Sequence, residues 1–286
     1  MQAKAIREKA MRAVFLVCAC VSILCVAMIL FFLLYNGIPS IREVGFFQFL
    51  GGRVWRPSAD SYGILPMIAG SICVTAGAMV VGVPLGLFAA VFLARFCPKG
   101  IYRVLRPAVE LLAGIPSVVY GFFGLKFLVP LIQNLTDGTG KGILTASILL
   151  GFMILPTIIM VTESALRAVP ETYNEGALAL GATPERSVFS VILPAAKSGT
   201  LAAVILGVGR AIGETMAVVM VAGNQTWMPK GLFQGLRTMT SNIVIEMGYS
   251  TDLHREALIA TGVVLFVFIL LINLCFSVLK GGKDHA

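Results

Sequence analysis

Arg210 and Glu214 lie four residues apart inside an apolar run from Thr200 to Val221. A run of that length can cross a bilayer as a helix. A charge near its centre costs about 2.5–3.5 kcal/mol on insertion scales, so the pair calls for a reason. At i and i+4 on one helix the two opposite charges share a face and partly neutralise each other. Two roles fit. The pair can face a polar route near the bilayer midplane, where the guanidinium offers a planar fork to an anion's oxygens. It can also be a structural ion pair that holds helices together. Gly209 and Gly213 bracket Arg210 as a Gly-x-x-x-Gly step, which permits close approach of a partner helix. Thr215 is candidate polar lining, although a Thr in a span more often bonds back to its own helix.

A second constellation is Gly114-Ile-Pro116-Ser117. Pro116 is expected to break or kink a helix, and Gly114 adds local freedom. A break at membrane depth needs protein or water around it to satisfy the freed backbone groups. Ser117 joins the candidate pathway residues.

The elements that carry these residues follow from composition. The 286 residues are 58% hydrophobic and 13% charged, against about 25% charged in a soluble domain. The chain is therefore read as an all-α integral membrane protein with about six transmembrane helices. The expected spans are 13–35, 65–94, 111–132, 143–162, 200–222 and 257–279. Residues 1–64 form an N-terminal signal-anchor helix and an external segment. Residues 65–286 form the core, with five spans and a long cytoplasmic loop at 163–199; residues 95–110 are a short basic loop.

The net charge of +8 raises nucleic acid as a partner, but its distribution points elsewhere. Thirteen of the 22 Lys and Arg residues fall on the side that carries both termini and the 163–199 loop. The positive-inside rule puts that side in the cytoplasm, so the basicity is topogenic and the expected surroundings are lipid. The six cysteines lie in spans or at the cytoplasmic edge, where disulfides are not expected. Neither His254 nor His285 has a ligand partner nearby in sequence, so no metal site is expected. The string Asp137-Gly-Thr-Gly-Lys141 fails as a phosphate-binding loop, because Leu135 and Gly142 stand where a Gly and a Ser or Thr are required. The chain thus has no nucleotide motif of its own.

The 163–199 loop reads as two short helices. Pro170 sits near the first turn of one, and Gly181 suits its left-handed stop. Thr183 is placed to cap the next, with Pro184 in its first position. The segment Met239 to Met247 is moderately apolar and is expected to tuck partly into the membrane.

The loop also carries Glu175-Gly176-Ala177, then three residues, Gly181, then nine residues, then Val191-Ile-Leu193-Pro194. This resembles the EAA motif of ABC importer membrane subunits, with Gly176 where Ala is usual and Val191 where Ile is usual. The stretch Ala-Gly-Ile-Pro-Ser-Val-Val-Tyr-Gly-Phe-Phe-Gly ending at Gly124 is similar to the phosphate importer permeases. The stretch from Gly209 to Asn224 is similar to their PstC type. The resemblance covers nearly everything from the second span onward.

It implies a MetI-like permease fold and a phosphate import function. It implies a PstA-like permease subunit as heterodimer partner, two copies of a PstB-like ATPase and an external PstS-like phosphate-binding protein. ATP and Mg would be used by the ATPase, with no cofactor on this chain, and the location would be a bacterial inner membrane. Glu175, Gly176, Ala177, Gly181 and Pro194 would belong to the coupling element that docks on the ATPase, and Arg210 would contact the anion, with Glu214 holding it. Three rivals stay open: a permease for another oxyanion such as molybdate or sulfate, a stand-alone secondary anion transporter, and a membrane enzyme. No nucleophile motif or metal cluster in the sequence favours the last.

Overall fold

The computed structural model describes residues 2–281 apart from Asp137. His285 and Lys283 lie outside the described residues. The chain is helical almost throughout. In order come α1 (Gln2–Val44), α2 (Phe46–Gly51), the short antiparallel pair β1 (Trp55–Arg56) and β2 (Ser61–Tyr62), α3 (Leu65–Val91), α4 (Lys99–Gly114), α5 (Ser117–Phe123), α6 (Val129–Leu135) and α7 (Ile143–Arg167). The order continues with α8 (Glu171–Ala179), α9 (Pro184–Ser187), α10 (Leu193–Ala195), α11 (Lys197–Gly213), α12 (Met216–Val221), α13 (Met239–Glu246) and α14 (Asp252–Gly281).

Among the described residues, five helices are long and apolar enough to cross a membrane: Ala10–Val44, Leu65–Phe96, Ser117–Leu135, Ile143–Arg167 and Asp252–Phe276. A sixth arises if Pro184–Ala195 and Lys197–Gly213, bent by 72°, count as one broken span.

The core is built on α3 and α7. Val74 and Ala78 of α3 pack with Leu149, Leu150, Met153, Ile154 and Ile158 of α7. Gly82 and Gly86 make the contact possible. A Cβ on Gly82 would lie 2.7 Å from Ile154 Cγ1 and 2.8 Å from the Gly151 carbonyl oxygen; one on Gly86 would lie 2.7 Å from Ile158 Cγ2. Small residues are what let two helix backbones come this near.

A second apolar cluster joins Phe49, Trp55, Tyr62 and Ile64 to Met239, Ala257, Leu258 and Ala260. The segment before residue 64 thus packs directly onto α13 and α14. A third cluster, Val91, Leu166, Val169, Val188 and Ile192, fastens the 168–196 region to the ends of α3 and α7.

Several sequence expectations need correction. Residues 95–110 are not a loop, since α4 occupies most of them. Lys99, Arg103, Arg106 and Glu110 recur every three or four residues and share one face, while Ile101, Val104, Leu105, Leu111 and Leu112 fall on the other and are exposed. The span expected at 111–132 begins instead at Ser117. Ile115 and Pro116 are extended, so the proline separates α4 from the span rather than kinking the span's middle. Glu163 is not the start of a loop, because α7 runs on to Arg167. The run 200–222 is not one helix, because it breaks between Gly213 and Met216.

The two helices expected in the 163–199 loop are present. Pro170 precedes α8, Gly181 has φ +84° after it, and the Thr183 hydroxyl accepts from the Arg186 N–H at 3.3 Å. The segment from Met239 forms α13, whose Met239, Thr240, Ser241 and Asn242 are buried.

Candidate functional site

Arg210 sits in the last turn of α11, and α11 stops at Gly213. Glu214 is extended (φ −68°, ψ 131°), and the chain resumes as α12 at Met216. The i, i+4 relation that put Arg210 and Glu214 on one face therefore does not exist. Arg210 instead donates from Nη1 to the Thr157 hydroxyl of α7 at 3.2 Å. Glu214 turns the other way, and its Oε1 accepts from the Ala217 N–H at 3.1 Å. The carboxylate thus satisfies one of the free N–H groups that open α12 and adds negative charge where the helix dipole is positive. Among the described residues no ion pair joins the two. In this structure the two are not a structural ion pair, and Glu214 makes no contact that holds Arg210.

The break is secured from outside the helix. The Glu214 carbonyl accepts from the Thr240 hydroxyl of α13 at 3.1 Å, and the Thr215 hydroxyl bonds back to the Gly213 carbonyl at 3.2 Å. Backbone freed at depth is here satisfied by buried protein.

Ser117 opens α5, which packs on α12: a Cβ on Gly121 would meet Ala217 Cα at 2.9 Å. Ser117 makes no hydrogen bond to Arg210, Glu214 or Thr215 among the described residues. Gly114, Gly209 and Gly213 have no atom within 4 Å of an added Cβ. The close-contact glycines of α11 are Gly199, against Ala165 of α7, and Gly207, against Ile158. The face bearing Gly209 and Gly213 is open.

Two functional candidates escape sequence reasoning. Thr157 follows Pro156 inside an apolar helix, and a hydroxyl beside a proline in a span was the available signal. The second is a cluster around Glu246. Its Oε2 accepts from Trp55 Nε1 at 2.8 Å and lies 2.8 Å from His254 Nε2, while Arg237 pairs with Oε1. Arg237 also donates to Asn242 Oδ1 at 2.9 Å and to the Asn224 carbonyl at 3.1 Å. His254 is thus not isolated. Burial pushes the Glu246 carboxyl up, but the hydrogen bonds from Trp55, His254 and Arg237 outweigh it and hold the group below the usual carboxylate range.

Around the loop, α8 is exposed along its length, including Glu175, Gly176 and the apolar Tyr173 and Leu178, with Leu180 after it 92% exposed. Arg95, beyond the end of α3, donates to Glu171 Oε2 at 2.8 Å and to the Leu166 carbonyl at 2.8 Å. Asn174 donates to Glu171 Oε1 and accepts from the Ser187 hydroxyl, each at 2.7 Å. This chain of contacts ties α8 and α9 to the end of α3. Pro194 lies in α10, just before the 72° bend into α11.

Residues 82–281 match the family described as "Binding-protein-dependent transport system inner membrane component". This chain belongs to that family. The permease is 40% identical over 273 residues to the Bacillus subtilis (strain 168) protein named "Probable ABC transporter permease protein YqgH", covering 92% of this chain and 88% of the relative. It is 35% identical over 247 residues to the Mesorhizobium japonicum "Phosphate transport system permease protein PstC", covering 79% and 76%. It is 36% identical over 245 residues to the Mycobacterium tuberculosis "Phosphate transport system permease protein PstC 1", covering 77% and 72%.

Among solved structures, the inward-facing MetNI methionine ABC transporter matches with a TM-score of 0.62 at 21% identity, over 79% of this chain and 98% of that one. The alginate ABC transporter in complex with its oligosaccharide-bound periplasmic protein matches with a TM-score of 0.63 at 15% identity, over 94% and 96%. The fold of the permease is therefore MetI-like. The permease is a multi-pass inner-membrane transport component, and the ATPase and the binding protein are separate partners.

Proposed function

We propose that this permease subunit moves inorganic phosphate inward across a bacterial cytoplasmic membrane. The observation that carries the reading is Arg210, a guanidinium in an apolar bundle whose one hydrogen-bond partner among the described residues is a neutral hydroxyl. Among the described residues no carboxylate occupies its fork, so the charge is available to an anion. The names of the relatives support phosphate as that anion. Ser117 and Thr215 are assigned to the same pathway. Glu214 contributes a carboxylate near it, able to accept a hydrogen bond from a phosphate oxygen that is still protonated at neutral pH. Sulfate, fully ionised, would meet that carboxylate as an unpaired like charge.

The partners follow the same reading: a PstA-like subunit against the open face of Gly209 and Gly213, two PstB-like ATPases and a PstS-like binding protein. ATP and Mg belong to the ATPases, and this chain binds no cofactor. Both termini are cytoplasmic. The exposed α8, with Glu175, Gly176 and Ala177, is the coupling helix, and Gly181 and Pro194 set the turns on either side of α9. The contacts from Arg95 through Glu171 and Asn174 to Ser187 give ATPase closure a route to α3.

The test is labelled-phosphate uptake in a bacterium lacking its own high-affinity system, expressing this chain with its partners. ATP-dependent uptake that neither sulfate nor molybdate competes is expected. Displacement by either would move the permease to another oxyanion, and uptake independent of the ATPase would remove the ABC mechanism.

Gly181 gives a second expected result. It has φ +84° and open space where a Cβ would stand, so a substitution acts through the backbone alone. A β-branched residue there costs about 1–2 kcal/mol and re-aims α8 relative to α9. Gly181→Val should insert normally but lose coupled uptake, while Gly181→Asn, which tolerates the left-handed region, should keep most of it. Wild-type uptake by the Val variant would show that the turn does not transmit motion.

A further inference from the structure

A cavity of about 660 Å³ opens between the end of α3, α4 and the end of α7. Arg95, Lys99, Arg103, Arg106 and Arg167 line it with Tyr102, and no carboxylate is among its lining residues. Three of the arginines are already paired with carboxylates: Arg95 with Glu171 at 2.8 Å, Arg167 with Glu163 at 2.7 Å, and Arg106 with Glu110 on the same face of α4 at 3.1 Å and with Glu163 at 3.8 Å. Lys99 and Arg103 have no ion-pair partner among the described residues. Arg95 Nε is buried without a hydrogen-bond partner. Topogenic charge only has to be on the right side of the membrane; here it converges on one pocket.

We propose that this pocket binds a phosphate group, as the headgroup of an anionic phospholipid or as inorganic phosphate. Several fixed guanidinium groups suit phosphate oxygens through charge-assisted hydrogen bonds. The surroundings favour the lipid. The opposite face of α4 exposes Ile101, Val104, Leu105, Leu111 and Leu112, the arrangement of a helix lying in the membrane interface. That puts the basic face, and the pocket behind it, at headgroup level. Basic pockets between helices at a membrane surface bind lipid headgroups by this chemistry. The site stands whichever anion the importer carries, because it is read out by binding rather than uptake.

The assembled importer is placed in phosphatidylcholine nanodiscs containing phosphatidylglycerol, and phosphatidylglycerol retained after extraction is counted by native mass spectrometry. In a second arm, inorganic phosphate is titrated calorimetrically in discs of phosphatidylcholine alone. The wild type is compared with Lys99→Gln/Arg103→Gln and with a charge-matched control, Arg7→Gln/Arg12→Gln. Retention is expected to fall on the order of thirtyfold in the first pair and to hold in the control. Lost calorimetric binding with no phosphatidylglycerol retention in the wild type would name the free anion as the ligand. If the double variant fails to assemble, Arg103→Gln alone should lower binding about fivefold. Binding in neither arm, binding indifferent to Lys99 and Arg103, or an equal fall in the control would overturn the site.

Discussion

Arg210→Gln is expected to lower ATP-dependent phosphate uptake about 100-fold, with the assembled complex recovered at wild-type levels. A guanidinium that gives an anion two charge-assisted hydrogen bonds contributes about 3 kcal/mol, which is roughly that factor. Assembly is spared for a structural reason. Glu214 is not the partner of Arg210, so removing the guanidinium leaves no buried carboxylate unpaired and only a threonine hydroxyl to be satisfied by the new amide. Arg210→Lys keeps the charge and loses the fork, so it should fall between the two.

Glu214→Gln separates the two residues. The glutamine oxygen can still accept from Ala217 N–H, so α12 stays capped while the charge is gone. Uptake should persist and sulfate should begin to compete. Unchanged uptake in Arg210→Gln would take Arg210 off the path, and unchanged sulfate exclusion in Glu214→Gln would remove the filter.

The second large effect is on stability. Glu246→Gln removes the charge that Arg237 and His254 share, where the Glu246 and Arg237 side chains are 8% and 11% exposed. Breaking a buried pair from one side costs about 3–5 kcal/mol, because the other charge is left uncompensated. The unfolding temperature in detergent should drop by several degrees or more, and Arg237→Gln added to it should restore part of the loss. The pH response has a definite sign. The folded Glu246 group is held below its ordinary value, so its contribution is complete above the unfolded carboxylate pKa and is lost as the pH falls through the depressed folded value. Wild type should therefore lose stability in that acid window more steeply than Glu246→Gln. Equal unfolding temperatures and parallel acid profiles would show that the cluster stabilises nothing.

Where the structure agrees with the sequence, short-range chemistry decided the matter. Pro170, Gly181, Thr183 and Pro184 each act within three residues of themselves, and the two loop helices follow from them. Where it departs, the cause lies at a distance or in a periodicity that dense charge masks. Gly213-Glu214-Thr215 has no proline and apolar residues on both sides, so hydropathy runs straight through it. At the break the Glu214 carbonyl is met by Thr240 from α13, and no local signal announces that contact. Trp55 and Glu246 meet across 191 positions, which a single sequence does not reveal. The charges of α4 recur every three or four residues, which is helical spacing, but their density resembles that of a loop. The α8 face was readable through its motif spacing, and Arg210 through its cost in a membrane. What Arg210 touches was not, because its partner Thr157 lies on another helix.

The seam between α3 and α7 has a mechanical meaning. With Gly82 and Gly86 each too near the facing helix to admit a methyl, the two rods pack along the seam with no slack between them. The two form a stiff spindle through the subunit. Any rearrangement that exposes the pathway to one side and then the other must be carried by the parts mounted on that spindle: the jointed α11–α12 arm, the α5–α6 segment and the lever of α8. A methyl inserted into the seam should therefore harm assembly, whereas one placed at the joints should harm turnover.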